Sequence, residues 1–356
     1  MKLVNHSLFE IAALPLDGPG EKPVLTVIVK GTFEIKPNSP AVISAQQMPI
    51  FYGVECNNPD KPTSIKFETD IVPYKPRADI LLVGKAYAPG GRHFHSFDAA
   101  LKVGNVEKSI RVFGDRNWIY TKKFLSFSIT MSFARPVTEM DIVYENAFGG
   151  LDKISGGICE LNPVGKGFLN EKSDKTIKMI NGIPLPNIED PRQVIKNYYD
   201  HPMPAGFGFY GMMWRPRKQY LGTYDEKWEK ERAPQRPKDF SCDFYNGAHP
   251  DLQVKGYLRG NEDVVLLNLT PDGECRFKLP GVSPVVKISK SDKFEGQTTD
   301  EFLVMNLDTL CMIPGEKRLY QVWRGICPVK DLTASEIRAV DVQAKGFSKD
   351  HNSIHQ

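Results

Sequence analysis

Residues 24–35 read Val-Leu-Thr-Val-Ile-Val-Lys-Gly-Thr-Phe-Glu-Ile, a run dominated by β-branched and apolar side chains. Pro37, Asn38, Ser39 and Pro40 follow it. An apolar, β-branched run closed by turn formers reads as a strand. Residues 79–88 (DILLVGKAYA) repeat the pattern and end at Pro89-Gly90-Gly91. Residues 97–112 predict two short strands joined by a Gly104-Asn105 hairpin turn. In 124–133, Phe124, Ser126, Ser128 and Thr130 alternate with Leu125, Phe127, Ile129 and Met131, the period of a half-buried strand.

The last third returns to the same grammar. Residues 263–269 and 274–279 flank Pro271-Asp272-Gly273, and residues 301–313 and 318–326 flank Pro314-Gly315-Glu316. In such turns Pro fixes φ and Gly admits a positive φ. The middle, 146–250, is different, crowded with Gly, Pro, aromatics and charges. Thr223-Tyr224-Asp225-Glu226 fits a capping box, so a helix is expected from there to about Arg232, stopping before Pro234. A second short helix is expected within 188–199. An irregular stretch of this length is no ordinary loop. Its aromatics, among them Phe207, Phe209, Tyr210 and Trp214, are expected to be buried by draping across the sheets. The reading is therefore a mainly β fold, with antiparallel, sandwich-like packed sheets, a few short helices and a long irregular middle. One domain spans 1–345, with any subdivision near 145 and 255, and a polar tail occupies 346–356.

Composition narrows the function. The chain has 356 residues, 46 basic and 43 acidic, for a net charge of +3. A nucleic-acid or anionic-membrane binder would show a stronger basic bias, so neither partner is expected. The first residues are interrupted by Asn5, His6, Ser7 and Glu10, which leaves no signal-peptide core, and no apolar run is long enough for a membrane helix. The six cysteines (56, 159, 242, 275, 311, 327) form no CxxC pair, and with no export signal they read as reduced, mostly buried thiols in the cytoplasm.

Several motifs fit a chemistry by letters alone. Gly206-Phe-Gly208-Phe-Tyr-Gly211 spells GxGxxG, but Pro202 and Pro204 precede it and Trp214-Arg-Pro216 follows, so the strand and helix of a dinucleotide site are missing. Asn162-Pro-Val-Gly-Lys166-Gly167 lacks the first Gly and the hydroxyl residue of a phosphate loop. His93 and His95 share a strand face but have only Asp98 nearby, too few ligands for a metal site. Asp225 and Glu229 are i, i+4 on the expected helix, flanked by Lys227, Lys230 and Arg232, and read as a solvated charged face. No nucleophile signature occurs. No catalytic residue, metal or cofactor is therefore expected. The remaining feature is an aromatic and arginine cluster, Trp214, Arg217, Tyr220, Tyr224 and Trp228, the residue types enriched at protein-binding hot spots.

A set of short stretches runs along nearly the whole chain: VIVKGTFEI (27–35), Asp70 to Asp79, GKAYAPGG (84–91), VFGDRNW (112–118), YENAFGG (144–150), NPVGKGF (162–168), LPNIED (185–190), PMPAGFGFYGMMWRPR (202–217), GTYDEKW (222–228), PKDFSCDFYNGAHPDLQ (237–253), LRGNE (258–262), FKLPG (277–281) and QVWRG (321–325). In order and number these resemble the DUF2169 family, found beside type VI secretion genes. The stretch 248–253 departs from the family pattern, which is richer in Pro there. The resemblance implies a non-enzymatic adaptor or chaperone that binds a secreted effector, or its spike or tip protein, for loading. It supplies no catalytic residues. The polar residues Gly114-Asp115-Arg116, Asp70 with Lys75 and Arg77, and Tyr144-Glu145 read as structural, satisfying backbone groups in irregular chain.

Two ways of binding follow from the residues: strand addition at an exposed sheet edge, or insertion of aromatic anchors. The alternative is a carbohydrate-active β-sandwich hydrolase using acids such as Asp70, Asp79 or Asp115 at hydrolase spacing, or a sugar-binding module with exposed aromatics.

Overall fold

The computed structural model describes residues 1–61, 63–124, 126–170, 174–291 and 298–345. The opening stretch forms the strand Pro23–Glu34, buried without a break from Val24 to Phe33. Both of its faces are covered, which is why the sequence runs apolar there instead of alternating. Lys30 is the charged exception. Gly31 is there for space: a Cβ at this position would lie 2.8 Å from Cε1 of Phe9, whose ring packs against the strand.

This strand is internal to a seven-stranded sheet ordered Gln253–Lys255, Arg77–Leu82, Asn306–Ile313, Arg318–Pro328, Pro23–Glu34, Glu10–Asp17, with Val42–Ile43 also on Pro23–Glu34. All its pairs are antiparallel except Arg77–Leu82 with Asn306–Ile313. A five-stranded sheet is ordered Ile188–Glu189, Val106–Phe113, Ser96–Val103, Asp263–Leu267, Glu274–Lys278. A four-stranded sheet is ordered Lys2–Asn5, Ile337–Lys345, Ser283–Ser291, Thr298–Leu303. None of the three closes on itself. Leu25, Ile80 and Leu310 of the first, Leu101 and Val264 of the second, and Val286 and Val340 of the third lie in one continuous core. Two smaller cores serve the middle, one around Trp118, Phe148 and Ile180, the other around Tyr144, Tyr210 and Trp214. The mainly β, antiparallel reading holds.

The turn chemistry holds where it is local. Val103 pairs with Val106 across Gly104, whose φ is 55°. Asp263–Leu267 pairs with Glu274–Lys278, and Gly273 takes φ 88°. Four details are corrected. Residues 79–88 split after Leu82, because Lys85–Tyr87 turns away to pair with Glu139–Asp141. Residues 301–313 split at Val304-Met305, and the halves join different sheets. In the Pro314 turn the positive φ falls on Lys317 (51°) and not on Gly315. The expected helix is Glu226–Glu231, capped by Asp225, whose side chain accepts from Trp228 N at 2.8 Å. Thr223 donates instead to Asp239 (2.8 Å from Oγ1 to Oδ2), so the capping box does not form.

The second expected helix is absent. Ile188–Glu189 is a short strand on Val106–Phe113, and the chain beyond it turns irregularly. Phe207 and Phe209 do enter the main core, with Leu82 N donating to Phe207 O at 2.9 Å. Phe127–Met131 is a strand against Trp118–Lys122. Leu125 and the tail 346–356 lie outside the described residues. All six cysteines are free and four are buried. No described helix is long and apolar enough to cross a membrane.

Candidate functional site

The segment 68–79 crosses the large sheet and carries charge into it. Lys30 Nζ meets Asp70 Oδ2 at 2.8 Å, Arg217 Nη1 meets Glu68 Oε1 at 2.8 Å, Lys75 Nζ meets Asp79 Oδ2 at 2.9 Å, and Arg324 Nε meets Asp308 Oδ2 at 2.6 Å, all in the interior. Each pair is neutral as a unit, which makes its burial tolerable. Asp308 sits where the Asn306–Ile313 ladder shifts register. Arg324 also donates to the carbonyls of Asp70 (2.9 Å) and Val72 (2.7 Å), tying the irregular segment to a strand. Burial lowers the Lys30 ammonium against the pull of Asp70, and raises the Glu68 carboxyl against the pull of Arg217. Burial also opposes the Lys75 charge, but Asp79, Asp308 and Glu68 outweigh it and hold that ammonium above its ordinary value.

Beside this frame lies a groove of about 350 Å³, lined by Tyr74, Lys75, Tyr257 and Arg324 together with the run from Glu301 to Val304. Its outer wall is the edge strand Thr298–Leu303. Gly325 lets that wall approach: a Cβ there would lie 2.6 Å from Met305 Sδ and 2.7 Å from Leu303 Cδ2. Phe302 is 74% exposed and Val304 75%. Asp300 pairs with Lys287 at 3.1 Å and Glu301 with Lys290 at 2.7 Å. Burial and the neighbouring Glu301 push the Cys327 thiol up to about 11, so it keeps its proton and donates to Glu301 at 3.1 Å.

The five residues singled out from the sequence separate. Arg217 is buried, donating to Glu68, to Tyr210 O (2.9 Å) and to Phe244 O (3.0 and 2.9 Å). Trp214 is buried edge-on against Tyr144 at 5.4 Å. Both are internal clamps. Tyr220 is half-buried and lines a second cavity of about 230 Å³ with Arg77 and Arg215. Tyr224 and Trp228 stay together at the surface, ring centroids 4.5 Å apart. The edge strand was missed because 301–313 reads as one strand. The clue was its length, since strands usually run 3–10 residues.

The hydrolase acids are engaged elsewhere. Asp70 accepts from Lys30 and from Phe51 N (2.8 Å), and Asp79 from Lys75, Asn246 Nδ2 (3.1 Å) and Gly247 N (3.1 Å). Asp115 is exposed and accepts from Asn187 at 3.1 Å. In the GxGxxG stretch the glycines make room for rings: a Cβ at Gly211 would lie 2.5 Å from Trp214 Nε1. Lys166 donates to Asn187 (2.6 Å) and Asn146 (3.2 Å), and His95 to Ala134 O (2.6 Å). Among the described residues no cluster of His, Cys, Asp or Glu could hold a metal ion.

Residues 20–324 match the family model described as "Uncharacterized protein conserved in bacteria (DUF2169)". The chain belongs to the DUF2169 family. The matched span includes all four ion pairs and the Thr298–Leu303 edge of this DUF2169 protein. No curated protein and no solved structure is significantly similar to it.

Proposed function

We propose that this DUF2169 protein is a non-enzymatic adaptor or chaperone in the cytoplasm, which binds a type VI secretion effector, or the spike or tip protein that carries it, for loading. The observation that carries the reading is the edge Thr298–Leu303 beside the groove, unpaired on its outer side among the described residues, with Phe302 and Val304 held out to solvent. An exposed strand edge offers backbone hydrogen bonds to any extended segment, and the flanking groove selects its side chains. The engagement of Asp70 and Asp79 in buried ion pairs favours this reading over the hydrolase, which needs two carboxylates facing a substrate.

The test is co-purification. The full chain, tagged and expressed with the effector and spike protein encoded beside it, is expected to retain one of them through size-exclusion chromatography. Elution alone, with both candidates soluble and present, would overturn the proposal.

A further inference from the structure

The strands that end the sheets of this protein are not equivalent. Glu10–Asp17 ends the large sheet but contains Pro15, which has no N–H to offer a neighbour. The outer side of Glu274–Lys278 is occupied: Asn38 N donates to Arg276 O at 2.7 Å and Ala41 N to Lys278 O at 2.8 Å. Lys2–Asn5, Gln253–Lys255 and Ile188–Glu189 have four, three and two residues. Thr298–Leu303 has six, without proline.

Its register fixes which side chains face which way. Leu303 lies opposite Val286 and Glu301 opposite Ile288, while Phe302 lies opposite Lys287 and Asp300 opposite Ser289. Val286 and Ile288 are buried, so Leu303 and Glu301 share the core-side face, and Phe302 and Asp300 share the other. Lys287 and Lys290 reach the two acids diagonally, since their own opposite residues are Phe302 and Thr299. Both contacts of Glu301, to Lys290 and Cys327, use Oε1. Both acids remain about half exposed, at 47% and 48%.

A second copy of the chain is a poor occupant. Two-fold antiparallel pairing over the whole of Thr298–Leu303 sets Asp300 against Glu301 twice, and like charges directly opposite are destabilising. A strand carrying two adjacent basic residues reverses the sign at both positions. Phe302 and Leu303, next along the edge, want apolar partners on the two faces.

We propose that the edge Thr298–Leu303 adds an antiparallel strand from a different polypeptide, one in which two consecutive apolar residues are followed by two consecutive basic ones. The apolar pair lies opposite Leu303 and Phe302, and the basic pair opposite Glu301 and Asp300. One apolar and one basic side chain then point to the core-side face, beside Leu303 and Glu301, and the others cover Phe302 and meet Asp300. This rests on the protein-binding reading above and names the chemistry of the segment bound.

The probe is the synthetic peptide acetyl-Ser-Val-Val-Lys-Lys-Thr-Thr-Ser-amide, with a Glu-Glu version as its counterpart, titrated into the full chain by isothermal titration calorimetry. The Lys peptide is expected to bind about tenfold more tightly, from two favourable cross-strand pairs in one peptide and two unfavourable ones in the other. That preference is expected to fall to near parity in the double variant Asp300→Asn/Glu301→Gln, whose thermal unfolding should match the parent. Methylating alternate backbone nitrogens of the Lys peptide is expected to abolish binding on one of the two alternations, as a hydrogen-bonded ladder requires. Equal binding of the two peptides, no binding of either, an unchanged preference in the variant, or indifference to both methylation patterns would each overturn the proposal. Retention of an effector with no peptide binding leaves the adaptor reading standing and removes this edge from it. Peptide binding with no retained effector or spike protein does the reverse.

Discussion

Arg217 Nη1 lies 2.8 Å from Glu68 Oε1 in the protein interior, across 149 residues of sequence. The same guanidinium holds two carbonyls from separate segments, Tyr210 O and Phe244 O, so one side chain joins three stretches of irregular chain to the edge of the core. A planar fork of donors can do this and an ammonium cannot.

Arg217→Ala is therefore expected to destabilise the protein by about 3–5 kcal/mol, because Glu68 is left buried and unpaired, and Arg217→Lys should recover little of it. Tyr224→Ala, at a residue 49% exposed, should stay within about 1 kcal/mol of the parent. Urea unfolding of the three variants checks this. Parent-like unfolding of Arg217→Ala would show that the clamp does not carry stability.

Lys30 is held between Asp70 and two rings, its Nζ 3.4 Å from the centroid of Phe51 and 4.3 Å from that of Tyr320. Asp70→Asn strands that ammonium, at a cost of about 3–5 kcal/mol. The double change Lys30→Met/Asp70→Asn is expected to regain most of the loss, which a double-mutant cycle in urea measures directly.

His249 Nδ1 accepts from Asp251 N at 3.1 Å and caps the short helical turn Pro250–Leu252, so the folded state needs it neutral. Burial and the nearby Lys108 lower its pKa from 6.5 to about 4, against Asp251 and Asp190. The unfolded chain takes up this proton near pH 6.5 and the folded one resists until near pH 4. Stability present above pH 6.5 is thus lost as pH falls towards 4, by up to about 3 kcal/mol. His249→Asn keeps an acceptor and does not titrate. Its unfolding free energy, measured in urea at several pH values, should fall less across that window, and a slope equal to the parent's would refute the assignment.

Two glycines should behave oppositely. A Cβ at Gly114 would lie 1.7 Å from the backbone oxygen of Arg135, which cannot rotate away, whereas one at Gly315 meets nothing within 4 Å. Gly114→Ala is expected to cost at least about 3 kcal/mol, and Gly315→Ala to be neutral or slightly stabilising. Thermal unfolding of both separates them.

The contrast between these glycines marks how far the sequence could be read. Gly104 and Gly273 were legible because a hairpin turn is closed by neighbours in sequence. Gly114 was not, because its constraint comes from Arg135. The strand 301–313 was overextended for the same reason, since nothing local says that Val304 leaves one sheet for another. Of the residues chosen for binding, Trp214 and Arg217 proved internal. Composition marks an aromatic or an arginine as a strong contact, but it does not say whether the contact is with a partner or with the chain itself.

The sequence by itself determined the β class, the positions of the tight turns and the family, since alternation, turn residues and short motifs are properties of adjacent positions. Only the tertiary structure decided which acids are buried in ion pairs and which sheet edge, among the described residues, stays unpaired. Those outcomes depend on meetings such as Arg324 with the carbonyl of Asp70, 254 residues apart, and no local pattern encodes them.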